Sequence, residues 1–210
     1  MLKKYKFPLL ITSLIILLPM VTGLCFWSRL PEAVPTHFDG TGQADGWSSR
    51  GFAVFGLPLF VLLLHWIGIA AVTADPKAKN LSHKILHLTL WISPAVSLFA
   101  GMSIYGTVLG APINTARIAN LLLALLFIAI GNYLPKCAPN YTVGIRLPWT
   151  LHDENNWRRT HRFAGYLWMI GGILLLPAAL LPTMWVTFAF VLVFALLPVG
   201  YSFLLYLRSR

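Results

Sequence analysis

The residue types able to do chemistry gather in two stretches of this chain and stand almost alone elsewhere. The first stretch holds three of the six carboxylates, Glu32, Asp39 and Asp45, together with His37. Oxygen and nitrogen ligands at this spacing admit a divalent-metal reading through His37, Asp39 and Asp45. A calcium loop does not fit. Asp39, Thr41, Gln43 and Asp45 alternate as ligands would, but Ala44 stands where the loop needs glycine and Arg50 where it needs the closing glutamate. Acid–base catalysis would need a nucleophile beside these groups, and none is evident. Aromatic residues interleave instead, namely Phe38 and Trp47. Pro31 and Pro35 favour extended backbone, while Asp39-Gly40 and Asp45-Gly46 are turn dipeptides. The stretch predicts a structured recognition loop contacting its ligand through His37, Phe38, Asp39, Asp45 and Trp47, since aromatic anchors commonly dominate binding energy.

The second stretch is basic. It carries Lys136, Arg146, Arg158, Arg159 and Arg162 with Asn140, Trp149, Trp157 and His161. Thr150 followed by Asp153 reads as a helix N-cap with an acid in the first turn. A helix from Leu151 would then place Trp157, His161, Ala164 and Trp168 on one face, with the arginines on others. Two readings stand side by side. One is an interfacial helix anchored by tryptophans and arginines. The other is a docking surface for a cytoplasmic partner or an anionic ligand, using Asn140, Arg146, Trp149, Trp157, Arg158, His161 and Arg162.

Three further features are single. His65 falls inside an apolar run, where an ionisable group is expensive; the readings are a neutral histidine bonded to a neighbouring helix and a proton relay. His83 and His87 are four residues apart on one helix face, a spacing that suits a metal or a pair of interfacial histidines. Cys25 and Cys137 fall on opposite sides of the predicted bundle and cannot pair.

These groups must be positioned by the rest of the chain, and the rest is apolar. Of 210 residues 58% are hydrophobic and 10% charged, against about 25% charged in soluble domains. At about 20 residues per span, the apolar share suffices for about six spans. Six runs are visible, near 7–27, 52–74, 85–109, 118–134, 163–181 and 184–207, none with a charge in its interior. Continuous runs of this length are helices rather than the short alternating strands of a membrane barrel. The predicted fold is an all-α integral membrane protein, a bundle of six transmembrane helices with a structured outer loop (28–51) and a long cytoplasmic loop (135–162). The first run begins with lysines but lacks a small-residue cleavage site, so it is expected as an uncleaved helix. Thirteen of the sixteen Lys and Arg residues fall on one side: the N-terminal lysines, Lys77, Lys79 and Lys84, the second stretch, Arg208 and Arg210. Arg29, Arg50 and Arg117 fall on the other. The positive-inside rule then puts both termini in the cytoplasm. The net charge of +10 is this bias, with an attraction to anionic lipid, and is no footprint for nucleic acid.

The motifs also carry a resemblance. Gly131-Asn132-Tyr133-Leu134-Pro135-Lys136, Asn140-Tyr141, Gly144-Ile145-Arg146, Pro148-Trp149-Thr150-Leu151 and Trp157…Thr160-His161-Arg162 resemble the signature of the SdpI immunity-protein family. Leu30-Pro31, Pro35, His37-Phe38, Gly42 and Asp45-Gly46-Trp47 are similar to the DUF1648 domain that precedes it there. The resemblance implies two parts, a DUF1648-like part (1–110) and an SdpI-like part (111–210). It also implies a bacterial protein of the cytoplasmic membrane; the family's named member protects against a secreted toxic peptide and recruits a DNA-binding autorepressor. The same role is the expectation here, and neither a cofactor nor catalysis is expected. A small-solute or ion transporter would call for intramembrane charge, broken helices or repeats, and only His65 and the prolines hint at these. A membrane-embedded enzyme would need a nucleophile near the outer acids. The expected reading is a membrane immunity or receptor protein, with its outer loop outward and its basic loop inward.

Overall fold

The computed structural model describes the backbone of residues 2–209 and the side chains of residues 5–209. Arg210 and the side chains of Lys3 and Lys4, all counted toward the orientation, lie outside the described residues. Among the described residues, six helical segments are long and apolar enough to cross a membrane: Tyr5–Cys25, Phe52–Ala74, His83–Val108, Thr115–Lys136, Glu154–Leu180 and Trp185–Arg208. Helices α1 (Leu2–Ile16) and α2 (Leu18–Cys25) make the first span, α3 (Leu57–Ala74) with a π-helical lead-in (Phe52–Gly56) the second, and α4 (His83–Val108) the third. Helix α5 (Thr115–Tyr133) makes the fourth. A short α6 (Pro148–His152) precedes α7 (Glu154–Leu175) and α8 (Trp185–Arg208), the fifth and sixth.

Sequence chemistry explains the breaks. Pro19 has no N–H to give and interrupts the first span at Leu17. The carbonyl of Ile16 would be left without a partner there, and Ser97 of α4 donates to it at 2.7 Å. Pro198 in α8 likewise frees the carbonyl of Phe194, four residues back, and the indole Nε1 of Trp168 donates to it at 2.8 Å. In lipid such carbonyls must find a partner inside the protein, so each break also fastens two spans together. Asn120 acts similarly near the outer ends, donating to the carbonyls of Ala178 and Thr183 and accepting from Thr187. His65 is 3% exposed and hydrogen-bonded to Thr12 of α1 at 3.2 Å, the contact expected of a histidine bonded to a neighbouring helix.

Spans one to three pack on one another, spans four to six do the same, and α4 against α5 joins the two groups. Small residues set the closest approach. A Cβ added to Gly131 of α5 would lie 2.6 Å from the backbone of Met169 in α7, so bulk there would push the helices apart. After α2 the chain leaves the first span, and the 28–51 loop forms an antiparallel hairpin, β1 (Ala33–Phe38) and β2 (Ala44–Ser49). A strand pair was absent from the all-helix expectation. It is confined to 33–49 and leaves the six-helix bundle unchanged. Leu30 and Val34 seat the hairpin on a cluster with Val54, Ile104 and Tyr105.

The sequence expectation for the fifth span needs one correction. Thr150 is not the N-cap: its hydroxyl accepts from Leu147 N–H at 2.8 Å and donates back to the Ile145 carbonyl. Asp153 caps α7 instead, accepting from Asn155 N–H at 2.7 Å. Acceptor side chains compete for the same helix start, and the one just ahead of the continuous helix takes it.

Candidate functional site

The outer hairpin is held by surface bonds. His37 Nδ1 and Asp45 Oδ1 lie 2.5 Å apart across the strands, on side chains 73% and 46% exposed. Thr36 and Ser48 share a hydroxyl bond of 2.9 Å. Asp39 organises the turn, accepting from Thr41 Oγ1 at 2.7 Å and from the N–H groups of Thr41 and Gln43. These bonds, the Thr41 hydroxyl first, hold its carboxyl below the usual range. The turn rests on the far half of the bundle. The Met184 N–H donates to the Gly40 carbonyl at 2.7 Å, and Gly42, at φ +80, sits so close that a Cβ would lie 2.6 Å from Ala116 N. Only glycine fits that position.

Two outer-loop expectations change. With Asp39 committed to its own turn, His37, Asp39 and Asp45 do not converge, and no metal-ligand group of three forms among the described residues. Phe38 is half-buried and packs inward on the Leu30, Val34 and Tyr105 cluster, so it anchors the hairpin rather than facing out. Trp47 is the reverse, 58% exposed. Beside the hairpin, the Trp27 and Phe55 rings meet at a tilt of 47°, and Arg50 lies over the Trp27 ring at 5.2 Å.

The basic loop is built around a buried clasp. Asn140 is fully buried. Its Oδ1 accepts from the N–H groups of Thr142 and Val143, and its Nδ2 donates to the Ala138 and Val143 carbonyls. His161, also fully buried, stacks on Trp157 at 4.0 Å. Its Nδ1 lies 2.8 Å from the Trp157 carbonyl, and its Nε2 accepts from Ile145 N–H at 3.0 Å. Those two partners assign a neutral ring with the proton on Nδ1. Gly144, at φ +116, makes room for this, because a Cβ would lie 2.4 Å from His161 Nε2. Trp157 Nε1 donates to the Cys137 carbonyl at 2.7 Å. Burial pushes the Cys137 thiol up to about 11, with the Asn140 bond offsetting part of the shift, so it stays protonated and unreactive near neutral pH.

Asp75 ties this clasp to the second span, and nothing in the sequence reading singled it out. It follows α3 directly, is 7% exposed, and accepts from Tyr141 N–H and Lys77 N–H, both at 2.8 Å, and from the Thr142 hydroxyl. Burial pushes its carboxyl up, but the bonds from Thr142, Lys77 and Tyr141 outweigh that and hold it below the usual range. The available signal was its isolation, as the only acid between Asp45 and Asp153. The clasp also reaches the sixth span. Asn156 donates to the Ser202 carbonyl at 3.0 Å, while Trp149 donates to the Ser202 hydroxyl and stacks on Tyr206.

The seven docking candidates therefore divide. Asn140, Trp157 and His161 are fully buried, so their predicted role as direct contacts is corrected to framework. Trp149 is half-buried against α8. Arg158 and Arg162 are exposed on α7, and Arg146 is exposed while bonding the Tyr141 carbonyl at 2.6 Å. The other histidine pair is structural as well, with His83 hydrogen-bonded to Tyr5 and His87 in edge contact with the same ring.

Six apolar helices joined by buried polar bonds, with one structured loop at each end, define a multi-pass membrane protein. Residues 136–202, covering the basic loop, the fifth span and most of the sixth, match the SdpI/YfhL protein family, and residues 14–62, covering the hairpin, match DUF1648, a domain of unknown function. The resemblance read from the motifs is thereby borne out. The chain is similar to the immunity protein SdpI of Bacillus subtilis (strain 168), 26% identical over 171 residues, which are 79% of this chain and 78% of that one. No solved structure matches it.

Proposed function

We propose that this protein is a bacterial cytoplasmic-membrane immunity protein that shields its cell from a secreted toxic peptide. The observation that carries the reading is the likeness to an immunity protein along most of both chains, beside family matches over residues 136–202 and 14–62. In this reading the hairpin faces outward and offers Trp47, the His37–Asp45 pair and the Arg50–Trp27 edge to the peptide. Both termini face the cytoplasm, following the thirteen-to-three split of basic residues. The chain works as two parts, 1–110 carrying recognition and 111–210 carrying the clasp. Arg146, Arg158 and Arg162, with the exposed edge of Trp149, face the cytoplasm and serve as the docking face for an autorepressor.

The test is complementation. Cells lacking the gene, challenged with a panel of secreted toxic peptides, should be killed by at least one and rescued by the restored chain; rescue from none would refute the reading. Orientation is checked separately with cysteines in a Cys25→Ser background. One at Ser48 should react with an impermeant thiol reagent in intact cells, and one at Ser209 should not.

A further inference from the structure

An apolar groove of about 670 Å³ opens between α2, α4 and α5 at the hairpin end of the bundle. Leu18, Met102, Tyr105, Leu109, Leu121 and Leu125 form much of its wall. Thr22 and Tyr105 alone among its lining residues carry a hydroxyl, and that of Thr22 is bonded to its own helix at the Leu18 carbonyl. Water would find almost no partners there, so the groove calls for hydrocarbon. A helix about 10 Å across would fill this volume with only about six residues, fewer than two turns. A thinner chain fits better.

The rim supplies the second half of the ligand. Arg117 stands one helical turn outward from Leu121 and two from Leu125, on the same stripe of α5. It is exposed, and its guanidinium has no hydrogen bond, ion pair or ring contact among the described residues. The other two arginines of this end are engaged: Arg50 with the Trp27 ring and carbonyl, Arg29 over the Phe26 ring. A free cation one helical turn beyond an apolar groove complements an anion with a hydrocarbon tail. An apolar peptide segment would leave the charge unanswered.

We propose that this groove binds one phospholipid, with an acyl chain against Leu121 and Leu125 and the phosphate on the Arg117 guanidinium. The planar fork of arginine suits two phosphate oxygens at once. Tyr105 belongs to both the groove wall and the cluster that seats the hairpin, so the bound chain also buttresses the outer loop. The inference stands independently of the immunity reading.

The test uses the full chain, purified and delipidated in detergent, with bound lipid counted by native mass spectrometry. The probes are phosphatidylglycerol and diacylglycerol with the same acyl chains. Wild type should retain phosphatidylglycerol about tenfold better, as one charge-assisted phosphate contact implies. Arg117→Gln, a surface change, should erase that preference without altering the melting temperature, and Arg117→Lys should restore part of it. Ala95→Trp, which fills the groove, should lower retention of both lipids. Equal retention of the two lipids by wild type, or an intact preference in Arg117→Gln, would overturn the proposal. So would an apolar peptide that displaces the phospholipid equally from wild type and Arg117→Gln.

Discussion

In the outer hairpin the side-chain bonds lie at the surface and close short stretches: His37 to Asp45, Thr36 to Ser48, Asp39 to Thr41 and Gln43. In the inner clasp they are buried or part-buried and reach across the chain, from Asp75 to Tyr141 and Thr142, from Trp157 to Cys137, and from Asn156 to Ser202. The placement decides what each can do. An exposed polar contact such as His37–Asp45 contributes about 0–1 kcal/mol, so the hairpin depends on the Leu30 and Val34 cluster for its seat. A buried donor that loses its acceptor costs about 1–3 kcal/mol, so the clasp is rigid and intolerant. On the proposed reading one loop varies its surface for recognition, while the other holds spans two, five and six in register.

The sharpest break of that contrast is at Asp75. Asp75→Ala leaves three part-buried donors without their acceptor and should cost about 3 kcal/mol. Melting of the purified protein should show it, with faster trypsin cleavage after Lys136 and Arg146. The acid dependence has a definite sign. The folded-state carboxyl titrates below its unfolded value of about 4, so its stabilisation is fully present above that pH and is lost as pH falls through the folded value. Cleavage of the inner loop by an acid-active protease should stay flat from about pH 7 to 5 and rise only below about 4.

A smaller loss is expected at Gly144. Alanine there must hold a left-handed backbone and displace the His161 ring, at about 2 kcal/mol. Gly110 also has positive φ, +71, but with open space around it, so Gly110→Ala should cost only about 1 kcal/mol. Equal melting shifts would mean that His161 does not pack the loop as described.

The smallest stability effect belongs to the exposed arginines. Replacing Arg146, Arg158 and Arg162 together by lysine keeps the charge but loses the planar fork. Melting should move little, within about 0.5 kcal/mol per site, whereas recruitment of a candidate repressor to membranes should drop. Unchanged recruitment would reassign these side chains to lipid anchoring.

The spans were legible because uncharged runs of twenty or so residues have one structural solution in lipid. The hairpin was half legible. Pro35 and the Asp-Gly pairs announced extended backbone and turns, but pairing depends on register with Trp47 and Ser48 and on a seat supplied by α4, which no local pattern states. The clasp residues were legible as a set and misread in role. Asn140, Trp157 and His161 look like contact residues in a polar loop, and only the fold shows that they face Cys137, Val143 and Ile145. Asp75 was hidden for the same reason, since its partners lie at Tyr141 and Thr142, far along the chain.

The division between a recognising hairpin and a supporting clasp meets its most direct test at Trp47, exposed and uninvolved in the bundle's buried bonds. Survival under the toxic peptide and the melting temperature of the purified chain should be measured together for Trp47→Ala. The account predicts protection lost while melting and membrane expression match wild type, a surface change being worth at most about 0.5 kcal/mol. Full protection by Trp47→Ala at normal expression would contradict it and move recognition away from the hairpin.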